Sequence, residues 1–195
     1  MPSFISRFWS KEKKIINLLS NKATLCGGES ITAGLIASRI ASVSGASSCF
    51  KGGVVCYTND MKINLLGVLP ATINKYSAVS LECVQEMLNG IERISKSDFG
   101  YAISGYAGPS GNAGEVYIGL YRSSSFKISS SSSCSNWWHK TNVSRYCTNS
   151  KKLFVSEIKR DVFLFSFRFC GSRNKIRKEA ARITIALIYK MIISS

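Results

Sequence analysis

The residues best suited to chemistry are a serine and a threonine among small residues, in Cys26-Gly27-Gly28-Glu29-Ser30-Ile31-Thr32-Ala33-Gly34. Thr24-Leu25-Cys26 reads as the end of a buried strand and Leu35 through Val43 as a helix, which makes this stretch a strand-to-helix turn. Its glycines would let backbone approach a ligand closely, and the unpaired N–H groups opening the helix would face that ligand. Ser30 is then a candidate nucleophile beside an oxyanion site. Taken alone, the stretch fits an ordinary N-cap at Ser30 or Thr32 more simply. The rest of the chain changes the balance.

A serine nucleophile needs a base. The single histidine, His139, lies in a segment without periodicity, which argues against Ser-His-Asp and Cys-His arrangements and against a histidine-based metal site. Glu29 is the only acid in the glycine-rich strand ends. A lysine with a lowered pKa, or a Lys–Tyr pair, can serve instead, because desolvation and nearby positive charge both favour the neutral amine. Lys62 and Tyr57 are the candidates: Tyr57 ends a strand led in by Gly52-Gly53, and Lys62 follows about one helical turn later. Their plain alternatives are a solvated lysine, one of 26 basic residues, and a rim tyrosine.

Two further features could complete a site. Gly105-Tyr106-Ala107-Gly108-Pro109-Ser110-Gly111 follows a strand and would form a crevice of backbone amides facing Cys26–Gly34, or else a simple tight turn. It is neither a phosphate-binding Gly-Lys-Ser/Thr loop nor a dinucleotide fingerprint. Gly171-Ser172-Arg173, with Lys175, Arg177 and Lys178 after it, offers a phosphate grip or a basic helix face in water. Trp137-Trp138 with Lys140, Arg145, Lys151 and Lys152 is a weaker signal for nucleic acid.

These groups must be held by elements. Lys11–Ser20 is a short amphipathic helix, and Gly52–Tyr57 a buried strand. A helix follows at 60–66, capped by Thr58 or Asn59 and closed by Gly67; Ser80 caps another at 81–95. Phe99–Ser104 and Glu115–Tyr121 are strands, Val162–Phe169 is strand-like, and Arg173–Ile193 is a long basic helix. Residues 123–160 read as an irregular, serine-rich excursion. Strands alternating with helices predict one α/β domain over 1–195, with helices packed on a sheet. The balance of 26 Lys+Arg against 11 Asp+Glu, net +15, predicts an anionic partner. Seven scattered cysteines (Cys26, Cys49, Cys56, Cys83, Cys134, Cys147, Cys170) without Cys-x-x-Cys are neither a disulfide framework nor a zinc site. With no apolar leader or bilayer-length run, the expected location is cytoplasmic, with no membrane partner.

Several ordered motifs together resemble a known family. Glu29-Ser30-Ile31-Thr32-Ala33-Gly34 is similar to its Ala-Glu-Ser-x-Thr-Gly-Gly signature, and Phe50–Lys62, Leu65-Leu66-Gly67-Val68, Ser104–Gly111 and Phe169–Arg173 continue the match. The family is that of the CinA carboxy-terminal domain, whose active members are nicotinamide-nucleotide amidases, and the resemblance covers about 13–122 and 167–190. It implies a three-layer α/β/α domain with a mixed sheet that converts nicotinamide mononucleotide to nicotinate mononucleotide and ammonia, without metal or cofactor. By position, Ser30 would be the nucleophile, with Tyr57 and Lys62 activating it and shuttling its proton. Thr32, Ser104, Gly105 and Gly108 would line the substrate, and Arg173 would hold its phosphate. A homodimer is expected. Gly28 stands where the family has Ala, Ala33 where it has Gly, and a Lys-Pro-Val-Gly-Thr-Val stretch after the loop is absent. The alternative function is a catalytically silent binding domain whose basic surface contacts nucleic acid.

Overall fold

The computed structural model describes residues 9–109, 111–123, 152–157 and 160–194. In chain order the elements are α1 (Trp9–Leu19), β1 (Leu25–Glu29), α2 (Leu35–Ala41), β2 (Phe50–Val55), α3 (Asn59–Leu66), α4 (Pro70–Tyr76), α5 (Leu81–Ser95), β3 (Phe99–Gly105), β4 (Glu115–Ser123), β5 (Lys152–Glu157), β6 (Arg160–Arg168) and α6 (Arg173–Ile193), with a single 3₁₀ turn at Ala46–Ser48. The six strands form one mixed sheet in the order β2-β1-β3-β4-β6-β5. β1 runs parallel to β2 and β3, and the remaining pairings are antiparallel.

The inner strands β1, β3, β4 and β6 are largely buried because both faces of the sheet are covered there. Strand β2, expected as a buried strand over Gly52–Tyr57, is instead an edge strand ending at Val55, its residues half-buried or exposed in alternation. Tyr101, Ile103, Phe163, Phe165 and Phe167 point to one face, where Ile15, Leu19, Ile36, Ile40, Ile176 and Ile188 of α1, α2 and α6 pack on them. Their strand neighbours Ala102, Val162 and Leu164 point to the other face, against Leu66 of α3 and Val84, Met87 and Ile91 of α5. The alternation is the period-2 geometry of a strand serving two cores at once. This is the three-layer α/β/α arrangement expected above.

The helix ends follow local chemistry. Thr58 accepts from the Met61 amide to start α3, and Gly67, at φ 71°, stops it in the left-handed region that glycine adopts without strain. Ser80 accepts from Cys83 N to start α5. α4 has no counterpart in the sequence expectations, although Pro70 stands at its start, where a missing N–H costs nothing.

Two expectations are corrected. Gly27 and Gly28 are interior residues of β1, not part of a ligand-facing turn. A Cβ at Gly27 would lie 2.0 Å from the Tyr101 ring, so that glycine makes room for a neighbouring strand's aromatic side chain. The irregular excursion is also shorter than 123–160, since Lys152–Glu157 pairs with β6 as an edge strand. Trp137, Trp138, His139, Lys140, Arg145 and Lys151 lie outside the described residues.

Candidate active site

β1, β2 and β3 all end at the same edge of the sheet. The chain leaves β1 through α2 on one face to reach β2, then returns across the other face through α3–α5 to β3 on the opposite side of β1. That reversal opens a crevice beyond the carboxyl end of β1, where open α/β sheets bind their ligands. A cleft of about 820 Å³ lies there, and Ser30, Tyr57, Lys62, Ser77, Tyr106 and Arg173 are on its walls.

Ser30 is the first residue after β1 and 7% exposed. Its amide donates to Ile103 O at 3.0 Å, so strand pairing continues to Ser30 itself. The turn then passes through Ala33 at φ 50° and Gly34 at φ 87°. The expected capping is overturned. Gly34 stands at the N-cap of α2 and makes no side-chain bond. The Glu29 carboxylate takes the helix amides instead, Ala37 N at 2.7 Å and Ile36 N at 3.2 Å, and also accepts from Tyr101 Oη at 3.2 Å. The opening amides of α2 are therefore spent on the protein's own anion and are not offered to a ligand. The Ile31 and Thr32 amides just before it donate to no backbone acceptor among the described residues.

Lys62 is the decisive group. One turn into α3, only 2% exposed, it extends Nζ to donate to Ser30 Oγ at 3.1 Å and to Tyr57 O at 3.5 Å. Among the described residues no carboxylate pairs with it. Burial pushes its pKa down from the ordinary lysine range; the charges that would push it back up are those of the Cys56 and Cys83 thiolates. Burial in turn lifts both thiols to about 11, so they stay neutral near pH 7 and give the amine no counter-charge. A buried amine in contact with a buried hydroxyl, unpaired, is the arrangement a Ser/Lys pair needs.

The other candidates take different places. Tyr57, half exposed on the rim, gives Lys62 its carbonyl, while its hydroxyl accepts from Arg173 Nη2 at 2.5 Å. Arg173 also donates through Nη1 to Gly108 O at 2.6 Å, and its guanidinium thus bridges the mouth of the cleft. Gly105 and Gly108 line the cleft; Thr32 and Ser104 do not. Both side chains are fully buried: Ser104 Oγ donates to Ala78 O at 2.7 Å, tying the 77–79 wall to β3, and Thr32 Oγ1 has no partner among the described residues. Tyr106 Oη meets Ser77 Oγ at 3.1 Å on the far wall. Arg177, grouped by sequence with the phosphate grip, turns away to the Ile31 and Thr32 carbonyls. Among the described residues no group of histidine, cysteine or carboxylate side chains could hold a metal ion, and no helix is long and apolar enough to cross a membrane.

The family model of the CinA C-terminal domain matches residues 10–158. The chain belongs to the CinA C-terminal domain family. This CinA domain is 32% identical over 182 residues to a CinA-like protein of Thermotoga sp. (strain RQ2), a match covering 93% of the chain and 37% of that protein. It is 34% identical over 173 residues to a putative competence-damage inducible protein of Bacillus subtilis, covering 87% of the chain and 33% of that protein. The chain thus spans about a third of the length of either relative. Among solved structures, the competence/damage inducible protein CihA of Agrobacterium tumefaciens superposes with a TM-score of 0.74 at 23% identity, over 98% of this chain and 99% of that one. At that identity the likeness concerns the fold. The family match also runs through the serine-rich segment, where the sequence reading found no counterpart.

Proposed function

We propose that this CinA domain is an amidohydrolase that uses Ser30 as nucleophile and Lys62 as its base, and that its substrate is nicotinamide mononucleotide. One observation carries the reading: Lys62 Nζ lies 3.1 Å from Ser30 Oγ, with both groups buried and the amine unpaired. The choice of nucleotide rests on the family resemblance of the surrounding motifs.

In this mechanism neutral Lys62 takes the Ser30 hydroxyl proton as Oγ attacks the carboxamide carbon. The carbonyl oxygen becomes an oxyanion, for which the unspent Ile31 amide, on the cleft wall, is the candidate donor. Protonated Lys62 then passes its proton to the amide nitrogen, the C–N bond breaks, and ammonia leaves. Water, deprotonated by the same amine, attacks the acyl-serine and releases nicotinate mononucleotide. One lysine serves as base and acid in turn, and the burial that lowers its pKa favours the neutral amine needed for the first step. Arg173 is the phosphate grip, its guanidinium exchanging the Gly108 carbonyl for a stronger anionic acceptor. Tyr57 holds the amine through its carbonyl and supplies an aromatic wall at the rim.

The test is ammonia release from nicotinamide mononucleotide by the chain and by Ser30→Ala. Release that disappears in Ser30→Ala supports the reading, and release unchanged in the mutant refutes Ser30. No release from either protein refutes the amidase and leaves the silent binding domain.

A further inference from the structure

We propose that Arg177 is a positioning residue that holds the nucleophile's turn in its reactive shape; the inference rests on Ser30 being the nucleophile. Arg177 lies in the second turn of α6, partly buried and directed across to the segment after β1. Its Nε donates to Ile31 O at 3.1 Å and its Nη2 to Thr32 O at 3.0 Å. Two edges of one rigid fork therefore hold two successive carbonyls immediately after Ser30. A lysine cannot reproduce this, since it offers a point charge on a flexible stem instead of a planar pair of donors.

The turn has reason to need such a clamp. Ala33 and Gly34 both sit at positive φ, a pairing that chain propensity does not favour when one residue carries a Cβ. Downstream the segment is fixed by the Glu29 carboxylate on the α2 amides, and upstream by the Ser30 amide on Ile103 O. Between these anchors, the local bonds are Ala33 N to Ser30 O at 3.1 Å and Leu35 N to Thr32 O at 3.2 Å. Arg177 ties the two carbonyls of the turn to α6. Its bond to Ile31 O also acts on the Thr32 amide, because the two share one peptide unit and a donor on the carbonyl strengthens the N–H. The guanidinium thus fixes the direction of Ser30 Oγ and the peptide units that follow it, without touching the reacting atoms.

The experiment compares the unsubstituted chain with Arg177→Ala and Arg177→Lys by three readouts. These are the rate at which a fluorophosphonate probe modifies Ser30, ammonia release from nicotinamide mononucleotide, and melting temperature. Misplacing a nucleophile by about 1 Å costs on the order of 100-fold. Arg177→Ala should slow Ser30 modification and kcat together by about that factor with KM within about twofold. Millimolar guanidinium should restore part of the rate to Arg177→Ala, and Arg177→Lys should remain well below the unsubstituted chain. Ser30 modification at an unchanged rate in Arg177→Ala overturns the proposal, as does a change confined to KM. If Arg177→Ala does not fold, Arg177→Lys decides alone, and an unaltered modification rate there overturns it too. Ser30 modified without ammonia release refutes the amidase reading and leaves the role of Arg177 standing. Ammonia release with modification indifferent to residue 177 does the reverse. A Ser30 that the probe never modifies in the unsubstituted chain overturns both.

Discussion

Replacing Lys62 with methionine should remove activity and raise stability at the same time. Lys62 is 2% exposed, and the two hydrogen bonds of its amine go to Ser30 Oγ and the Tyr57 carbonyl. Water therefore has little access to replace it as a base, and the loss should approach the upper end of general-base effects, about 10⁴-fold in kcat. The stability change has the opposite sign. Burying a polar group that is poorly compensated costs about 1–3 kcal/mol. The two hydrogen bonds already made put Lys62 in the lower part of that range. At about 2–4 °C per kcal/mol for a chain of this size, a gain of about 1–2 kcal/mol raises the Tm by roughly 2–8 °C. The pH dependence sharpens the test. Because burial lowers the folded-state pKa below 10.5, folded and unfolded chains differ in bound protons between that lowered value and 10.5. The unfolded chain holds the extra proton there, so the natural protein gains stability with rising pH through that window. The advantage of Lys62→Met is thus greatest below the folded pKa and closes as the pH passes 10.5. The same titration should appear as the rising limb of kcat/KM, centred below the ordinary lysine range. Thermal melts from pH 6 to 11 with parallel ammonia assays measure both. A Lys62→Met protein that keeps its activity, or that is less stable at pH 7, refutes the claim of an unpaired buried base.

Arg173→Ala should raise KM for a phosphorylated substrate by about 10- to 100-fold, the value of a charge-assisted pair at about 1.5–3 kcal/mol, and change KM for the corresponding nucleoside far less. Steady-state kinetics on both compounds measure this, and equal effects would refute the phosphate grip. Gly27→Ala and Gly28→Ala, adjacent in β1, should behave oppositely. The first drives a Cβ to 2.0 Å from the Tyr101 ring and should cost about 3 kcal/mol or more. The second meets only the flexible ends of Ile91 and Leu66 at 3.3–3.4 Å and should lie within about 1 kcal/mol of neutral; urea titration compares the two. Ala33→Gly removes a Cβ from a residue at φ 50° and should stabilise the chain by about 0.5–1 kcal/mol, with ammonia release retained. A destabilised Ala33→Gly would mean that the turn does not adopt this shape.

The sequence by itself determined the local elements. The spans of α5 and α6 were legible to the residue, because Ser80 marks a start and apolar residues recur at helical spacing. The caps of α3 were legible for the same reason, Gly67 outright and Thr58 as one of two candidates beside Asn59: a cap is a contact between residues three or four apart. The family motifs also named Ser30, Tyr57, Lys62 and Arg173 in chain order. What those residues do to one another was decided by tertiary structure. Glu29, in sequence only an acid at a glycine-rich strand end, caps a helix from the end of that strand, and Gly27 looked like ligand-facing backbone and instead accommodates Tyr101. Tyr57 was paired with Lys62 by proximity in sequence, yet its hydroxyl meets Arg173, 116 residues away. Arg177 and Arg173, one helical turn apart on α6, point to different tasks, one under the nucleophile's turn and one across the cleft mouth. Sequence spacing fixes which side chains share a helix face. Only the placement of α6 and α3 beside the ends of β1 and β3 sets the distances and the burial that set Lys62 apart from a solvated lysine.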